Sequence, residues 1–97
     1  MRVGKVLEVE RVPERDRLYK LIVDIGKDKP IQIVSSLVPF YKEEELRGKN
    51  IIILANLKPA KFGGVLSQGM LLCAEKGPKE CVLLTTEKDI APGTPVT

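Results

Sequence analysis

Short apolar segments separated by turn residues are the feature that most restricts the fold of this chain. Each segment is rich in Val, Ile and Leu, and clusters of Gly, Pro and charged residues divide one segment from the next. Such residues favour strands, and short strands at nearly regular spacing are typical of a small barrel or sandwich. The pattern predicts strands over residues 3–12, 18–25, 31–35, 50–55, 70–75 and 81–84.

The spacing of apolar residues predicts which faces of these strands are buried. In the first strand, we expect Val3, Leu7 and Val9 to share one face. The second strand alternates, because its odd-numbered apolar residues point one way while Lys20 and Asp24 point the other way. The fourth strand is apolar on both faces, which predicts a central position in the sheet.

A short helix is predicted between the third and fourth strands, over residues 42–47. Glutamates at its start and Arg47 at its end suit the helix dipole, and Gly48 ends it. Three strands, a helix and two strands form the element order of the OB-fold, a five-stranded Greek-key barrel. We therefore predict an all-β OB-fold with extra short C-terminal strands, built as one domain from residues 1–97. Other small barrels are also compatible with the pattern.

The composition excludes several classes of function. The 97 residues contain no histidine, so no Ser–His or Cys–His nucleophile pair can be built; we predict no catalysis, no metal and no cofactor. No apolar run reaches the roughly 20 residues of a membrane span, and none reads as a signal peptide, which predicts a cytoplasmic protein with no membrane partner. Cys73 and Cys81 are expected to be reduced and to lie in the core.

The segment 56–70 is the strongest candidate for a binding site. It follows the fourth strand, carries Lys58 and Lys61, and contains no carboxylate. A basic loop between two buried strands suits a polyanion that lies across a barrel, with both lysines in contact with phosphates. The alternative is that both are solvated surface lysines. The net charge of +3, from 16 basic and 13 acidic residues, adds modest support for a nucleic-acid partner.

Three blocks of sequence resemble the tRNA-binding domain family. They are RVGKVLEV at 2–9 with DRLY at 16–19, QIVSSL at 32–37, and NLKPAK at 56–61 leading into SQGM at 67–70. The family includes the appended C-terminal domain of some methionyl-tRNA synthetases, free-standing structure-specific tRNA-binding proteins and related secretion chaperones. The resemblance implies an OB-fold that binds tRNA by shape near its outer corner, without reading the anticodon. It also implies a homodimer, with an aminoacyl-tRNA synthetase as a candidate partner.

Four further residues of the segment are candidates for contact with tRNA. Asn56, Ser67 and Gln68 are able to hydrogen-bond a 2′-hydroxyl or a phosphate oxygen. The alternative is that they hold the loop in place through bonds to the backbone. Met70 has two open roles, stacking on a base and packing in the core, and the second is the more common role of methionine.

Ser35, Lys42 and Lys49 are peripheral candidates. Ser35 closes the third strand beside the presumed ligand face, where it contacts RNA or simply ends the strand. Lys42 and Lys49 flank the helix and either extend the basic surface or form salt bridges with the glutamates at 43–45. The chain departs from the family at residues 62–66, where relatives often carry a basic and an acidic residue. This departure bears on affinity rather than on fold.

Two other functions stay open at this point. A chaperone-like protein of the same fold would bind unfolded polypeptide through an exposed apolar patch, for which Leu37, Val38, Phe40 and Phe62 are the candidates. A pure dimerisation module would bind neither ligand. The scarcity of aromatic residues argues against generic single-strand binding and fits recognition of a folded RNA backbone.

Overall fold

The computed structural model of the chain describes residues 1–55 and 58–97. Within these residues the chain forms nine strands and one short helix. The elements are β1 (Arg2–Arg11), β2 (Tyr19–Asp24), β3 (Ile31–Ser35), α1 (Glu43–Leu46), β4 (Asn50–Leu54), β5 (Ala60–Phe62), β6 (Val65–Ser67), β7 (Met70–Leu71), β8 (Cys73–Glu75) and β9 (Cys81–Leu83).

Five antiparallel strands form one sheet in the order β3-β2-β1-β4-β7, and β8 and β9 form a separate pair. The two outer strands of the large sheet, β3 and β7, approach each other, because the chain just before β7 is hydrogen-bonded to β3. The N–H of Gln68 donates to the carbonyl of Gln32 at 2.7 Å. The sheet is thus an almost closed barrel with α1 between β3 and β4. The predicted OB-fold with extra C-terminal strands is confirmed.

The core is almost entirely aliphatic, as the composition predicts. Leu21 of β2 and both Ile51 and Ile53 of β4 have 0% of their surface exposed. Leu46, the last residue of α1, is also 0% exposed and belongs to the same cluster. Burial of this apolar surface is the main source of stability in a domain of this size. The helix is therefore held to the barrel chiefly by one side chain.

The predicted face of β1 is wrong at Leu7. Val3, Val6 and Val9 are buried, whereas Leu7 is 43% exposed. The pairing of β1 with β2 shifts its register between Val6 and Glu8. An extra residue at such a bulge reverses the alternation of side chains along the strand. The sequence pattern did not indicate the bulge, so regular alternation was predicted along the whole of β1.

The segment predicted as a plain loop contains a two-stranded hairpin, which we call the β5–β6 hairpin (residues 60–67). Its two-residue turn consists of Gly63 and Gly64, with φ values of 60° and 81°. Positive φ at both central residues defines a turn whose twist matches that of the flanking strands, and a Gly-Gly pair satisfies it without strain. The pair was therefore a hairpin signal that the sequence interpretation missed.

The predicted fifth strand over residues 70–75 is divided in two. β7 pairs with β4 in the barrel, whereas β8 leaves the barrel and pairs with β9. Leu72 lies between them, and its N–H donates to the carbonyl of Ile52 at 3.0 Å. The predicted sixth strand is confirmed as β9, which ends at Leu83.

The C-terminal tail packs along the start of β1. The N–H of Val3 donates to the carbonyl of Thr94 at 2.9 Å, and the N–H of Gly93 donates to the carbonyl of Val3 at 2.7 Å. This pairing satisfies backbone groups of β1 beyond the end of its pairing with β2, which begins at Lys5. In the part of the chain that the structure describes, the single helix has four residues, and no helix is long and apolar enough to cross a membrane.

Candidate nucleic-acid interface

Two glutamines fix the β5–β6 hairpin to the barrel. The side-chain Nε2 of Gln32 on β3 donates to the carbonyl of Leu66 at 2.7 Å. In return, the Gln68 Oε1 accepts from the N–H of Gln32 at 2.9 Å. These bonds link residues more than thirty positions apart in the chain, so they set the position of the hairpin relative to β3. Gln68, predicted to contact RNA or to hold the loop, performs the second role through its oxygen.

Ser67 lies inside the protein, with 3% of its surface exposed. Its Oγ accepts a hydrogen bond from the N–H of Val34 at 3.0 Å and donates one to the carbonyl of Gly69 at 3.0 Å. The hydroxyl therefore supplies the outer edge of β3 with the partner that a neighbouring strand would otherwise give. Of its two open roles, Ser67 has the structural one in this fold.

Replacing Ser67 with Ala is expected to cost about 1–3 kcal/mol of stability, because the buried N–H of Val34 loses its acceptor. Urea denaturation would measure the change in the free energy of unfolding. Ser36→Ala is the matched control, since Ser36 is exposed in the loop that follows β3. Equal stability of the Ser67→Ala variant and the control would contradict the structural role.

The two predicted lysines lie on different sides of the hairpin. Antiparallel partners share a face, and Lys61 pairs with Leu66 while Phe62 pairs with Val65. Lys61 therefore points away from the face that carries Phe62. Lys58 lines a cavity together with Phe62 on the opposite face. Both lysines are exposed, so the hairpin presents positive charge on two sides rather than as one cluster.

Arg15 joins the two lysines at this edge of the barrel. A Cβ atom placed on Gly63 would lie 3.0 Å from both Cγ and Nε of Arg15, and 3.1 Å from Cδ1 of Leu18. The tip of the hairpin thus touches the loop between β1 and β2. No residue of this loop was named as a candidate contact from the sequence. The predicted OB-fold was itself a signal for this loop, because OB-folds commonly bind ligands with the loop after the first strand and the loop after the fourth.

We define the basic rim as Arg15, Lys58 and Lys61. All three are exposed, and they lie on the two loops that meet at the hairpin tip. Among the described residues, the ion pair found is Lys20 with Glu10 at 2.9 Å, and it involves no residue of the rim. The charge of the rim is therefore available to an anion from solution.

A cavity of about 510 Å³ lies under the hairpin and opens beside the rim. Its walls come from the end of β3, the inner face of the hairpin, β7 and the β8–β9 pair. They are mainly apolar, and the polar members of the lining are Ser35, Ser36, Lys58, Ser67 and Glu75. A site of this kind, apolar with a few polar groups at fixed places, is the usual form of a small-ligand pocket.

Met70 is a wall of this cavity and is 52% exposed. Of its two open roles, packing in the core is excluded by this exposure. It begins β7, where its backbone pairs with Leu54 while its side chain faces the opening. The neighbouring Leu71 is 8% exposed and takes the core position instead. The alternation of the strand places only one of the two residues inside.

The cysteines form part of the far wall of the cavity. Both are free and half-buried, and they pack against the core. Burial, with a hydrogen bond to the Cys81 thiol, raises the pKa of the Cys73 thiol to about 12. Since a thiol acts as nucleophile or metal ligand in its ionised form, Cys73 behaves as a neutral wall residue at physiological pH.

The remaining predicted residues are spread more widely. Ser35 lines the cavity and is half-buried. Lys42 is exposed at the start of α1, and the Lys49 Nζ lies 5.8 Å from the centroid of the Tyr41 ring. In residues 1–55 and 58–97, neither lysine forms an ion pair with the glutamates of α1. Asn56 lies outside the described residues.

The apolar patch expected for a polypeptide binder does not form as predicted. Leu37 is 1% exposed, and Val38 and Phe40 are half-buried. Phe62 alone of the four is largely exposed, at 48%. Leu37 is buried because the chain turns into the core directly after β3, where the N–H groups of both Phe40 and Tyr41 donate to its carbonyl.

The fold and this edge define a small ligand-binding barrel of the OB type. The chain belongs to the family described as "Putative tRNA binding domain", which matches residues 1–95. The predicted family is thereby confirmed. This chain is 55% identical over 96 residues to a methionine–tRNA ligase of Archaeoglobus fulgidus, covering 99% of this chain and 14% of that protein. It is 50% identical over 96 residues to the corresponding ligase of Methanocaldococcus jannaschii, covering 99% of this chain and 15% of that protein.

Solved structures agree with this assignment. A MetRS-related protein from Pyrococcus horikoshii superposes with a TM-score of 0.90 at 38% identity, covering 99% of this chain and 87% of that one. The chaperone CsaA from Bacillus anthracis superposes with a TM-score of 0.88 at 25% identity, covering 99% of this chain and 88% of that one. The chain thus spans about a seventh of the length of the ligases it matches, but most of the length of these smaller proteins.

Proposed function

We propose that this chain is a non-catalytic module that binds folded tRNA through its backbone and shape. The observation that carries the proposal is the meeting of two loops at one edge of an OB barrel, which brings the basic rim to the edge where Lys58 lines an open cavity. Phosphate contacts from Arg and Lys supply affinity without sequence choice. A rigid arrangement of such contacts on a curved barrel selects a folded RNA by the spacing of its phosphates.

The residues of the site take different parts in this proposal. Lys58, Lys61 and Arg15 contact phosphates, while Ser35 and Met70 contact sugar or base at the cavity mouth. Gln68 holds the hairpin and presents its amide to the ligand edge. The outer candidates extend the surface around the helix or complete the loop; they are Lys42, Lys49 and Asn56.

The module is proposed to serve a methionyl-tRNA synthetase, either as part of the same chain or as a separate subunit. Identity of 50% or more to short regions of two such ligases supports this assignment. A weak general tRNA contact, added to the specific contacts of a catalytic domain, raises the overall affinity by making the second contact intramolecular.

A homodimer is also proposed, on the ground of the family resemblance. The C-terminal part of the chain offers three exposed apolar side chains for such a contact, at Val82, Leu84 and Ile90, with exposures of 53%, 42% and 44%. Two copies would present two basic rims to one tRNA or to two. Sedimentation velocity at micromolar concentration would test the proposal, and a single monomeric species would refute it.

Polypeptide binding is the second candidate function. The apolar walls of the cavity and the likeness to the chaperone CsaA favour it. The burial of Leu37 weakens it, because the exposed apolar patch is smaller than the sequence predicted. If the chain suppressed aggregation of an unfolded protein and had no measurable tRNA affinity, polypeptide binding would replace tRNA binding as the leading function.

Competition between fragments of tRNA tests the proposed function. Labelled unfractionated tRNA is titrated with the chain at low salt, and the complex is then challenged with unlabelled RNAs. We expect whole tRNA to compete fully and an isolated anticodon stem-loop to compete poorly, because the proposed contacts follow the outer corner. Equal competition by both would mean that the chain binds any short RNA helix, and absence of a complex would refute tRNA binding.

A further inference from the structure

The cavity under the β5–β6 hairpin has a feature that phosphate binding alone does not use. Phe62 is 48% exposed, lines the cavity and stands on the same face of the hairpin as Lys58. Its β5–β6 partner Val65 is half-buried, and the hairpin is fixed to β3 by the two glutamines. The ring is thus held at the mouth of an open apolar space. An aromatic ring at the mouth of an apolar cavity is placed to contact a ligand that enters the cavity.

We propose that this cavity takes one unstacked nucleobase of the bound RNA, with Phe62 as its stacking platform. This inference rests on the proposed tRNA binding and adds to it a specific point of contact. A volume of about 510 Å³ is in the range of sites for small organic ligands. Folded RNAs present unstacked bases at their loops and corners, and proteins commonly receive such bases on aromatic rings.

The polar groups around the cavity fit a nucleotide that enters base first. Lys58 at the mouth is positioned to neutralise the phosphate of the entering nucleotide. Ser35 and Ser36 offer hydroxyls to the sugar or to the edge of the base. Glu75 also lines the cavity and repels phosphate. Its carboxylate accepts hydrogen bonds from an amino group on a base, which favours the base, rather than the phosphate, in that part of the site.

The number of rings limits the site to a single base. Among the residues that line the cavity, Phe62 is the aromatic one. Tyr19 and Tyr41 are committed to the interior, since the Tyr19 hydroxyl donates to the Tyr41 carbonyl at 2.8 Å and the Tyr41 hydroxyl accepts from the N–H of Leu83 at 3.0 Å. A single platform does not support the continuous stacking by which single-strand binders hold several bases. One inserted base on a shape-recognised RNA agrees with this geometry.

Three variants test the inference by tRNA binding over a range of salt concentrations. Phe62→Ala removes the platform, and Ser36→Leu narrows the cavity at an exposed position of its wall. Leu66→Ala is the matched control, because Leu66 is 40% exposed on the same hairpin but on the opposite face. From the usual effect of losing one stacked base, we expect Phe62→Ala to weaken binding by about 5- to 100-fold. Ser36→Leu should also weaken tRNA binding. The affinity of the Leu66→Ala control should stay within about twofold of that of the parent.

The salt slope separates this effect from phosphate contact. Both cavity variants should retain the parent slope of log K against log salt, because no charge is removed. Parent-like affinity of Phe62→Ala, or a loss equal to that of the control, would overturn the inference and leave tRNA binding in place. A lowered salt slope in Phe62→Ala would overturn it too, since the ring would then act only by positioning the lysines. Failure of the parent chain to bind tRNA is a separate result that removes the proposed function itself.

A fluorescent variant gives a direct reading of the cavity. The chain contains no tryptophan, so Phe62→Trp introduces a single indole at the mouth. Stacking of a base on the indole is expected to quench its fluorescence when unfractionated tRNA is added. An indole that responds to an apolar peptide but not to tRNA would assign the cavity to polypeptide and refute the nucleobase site. An indole that responds to neither would refute it as well.

Discussion

Removing the charge of the basic rim is expected to cause the largest loss of tRNA affinity. In the triple variant Arg15→Ala, Lys58→Ala and Lys61→Ala, each lost phosphate contact should reduce the slope of log K against log salt by about 0.7 to 0.9. At about 0.1 M salt this corresponds to about 5- to 8-fold per contact, and to about 100-fold or more if all three cations contact phosphates. Fluorescence anisotropy with labelled tRNA would measure both quantities.

A second triple variant controls for net charge. Lys27, Lys29 and Lys88 are exposed, and the turn that carries Lys27 and Lys29 lies at the end of β2 remote from Arg15. Replacing these three residues with alanine gives the same net charge as the rim variant. We expect this control to bind tRNA within a few-fold of the parent. Equal losses in the two variants would show that overall charge, rather than the rim, determines affinity, and would contradict the assignment of the site.

Replacing Leu46 with Ala is expected to have the largest effect on stability. Leu46 is 0% exposed and is the buried residue of a helix of only four residues. Truncation of a fully buried leucine costs about 2–5 kcal/mol, and a helix this short has almost no stability of its own. Such a loss is a large fraction of the total for a domain of this size. Urea denaturation would measure it as a shift in the midpoint.

Glu44→Ala is the matched control on the same helix, because Glu44 is exposed. Its stability should stay within about 0.5 kcal/mol of the parent, as is usual for a surface position. A loss of less than about 1 kcal/mol in Leu46→Ala would mean that the helix contributes little to the core. The folded fraction of Leu46→Ala should still bind tRNA, because no residue of the basic rim belongs to α1.

The fold was largely predictable because its strands and turns follow from patterns of residues that are close together in the chain. The alternation of residues 19–25 places the buried face of β2, and the turn at residues 26–30 directs β3 back along it. Departures from regular geometry were not predictable in the same way. The bulge after Val6 exposes Leu7 through a shift in pairing with another strand, which no local pattern records. The Gly63–Gly64 turn is different, since its signal was present in the sequence and was overlooked.

The candidate site was predictable in part, for a related reason. The segment with Lys58 and Lys61 was found from its charge and its place in the strand order. Arg15 was not found, because its proximity to Gly63 depends on how two distant loops meet. The structural role of Ser67 also depends on a distant partner, the N–H of Val34. A sequence indicates which groups are available, whereas the folded chain decides whether each one faces the solvent or the backbone.

A parallel salt titration of two RNAs tests the central claim most directly. The parent chain is titrated with folded tRNA and with a single-stranded RNA of equal length, from low to physiological salt. Recognition by backbone and shape predicts tighter binding of folded tRNA at every salt concentration, with an affinity that falls steeply as salt rises. Equal affinity for the two RNAs, or no binding of folded tRNA at low salt, would contradict the claim.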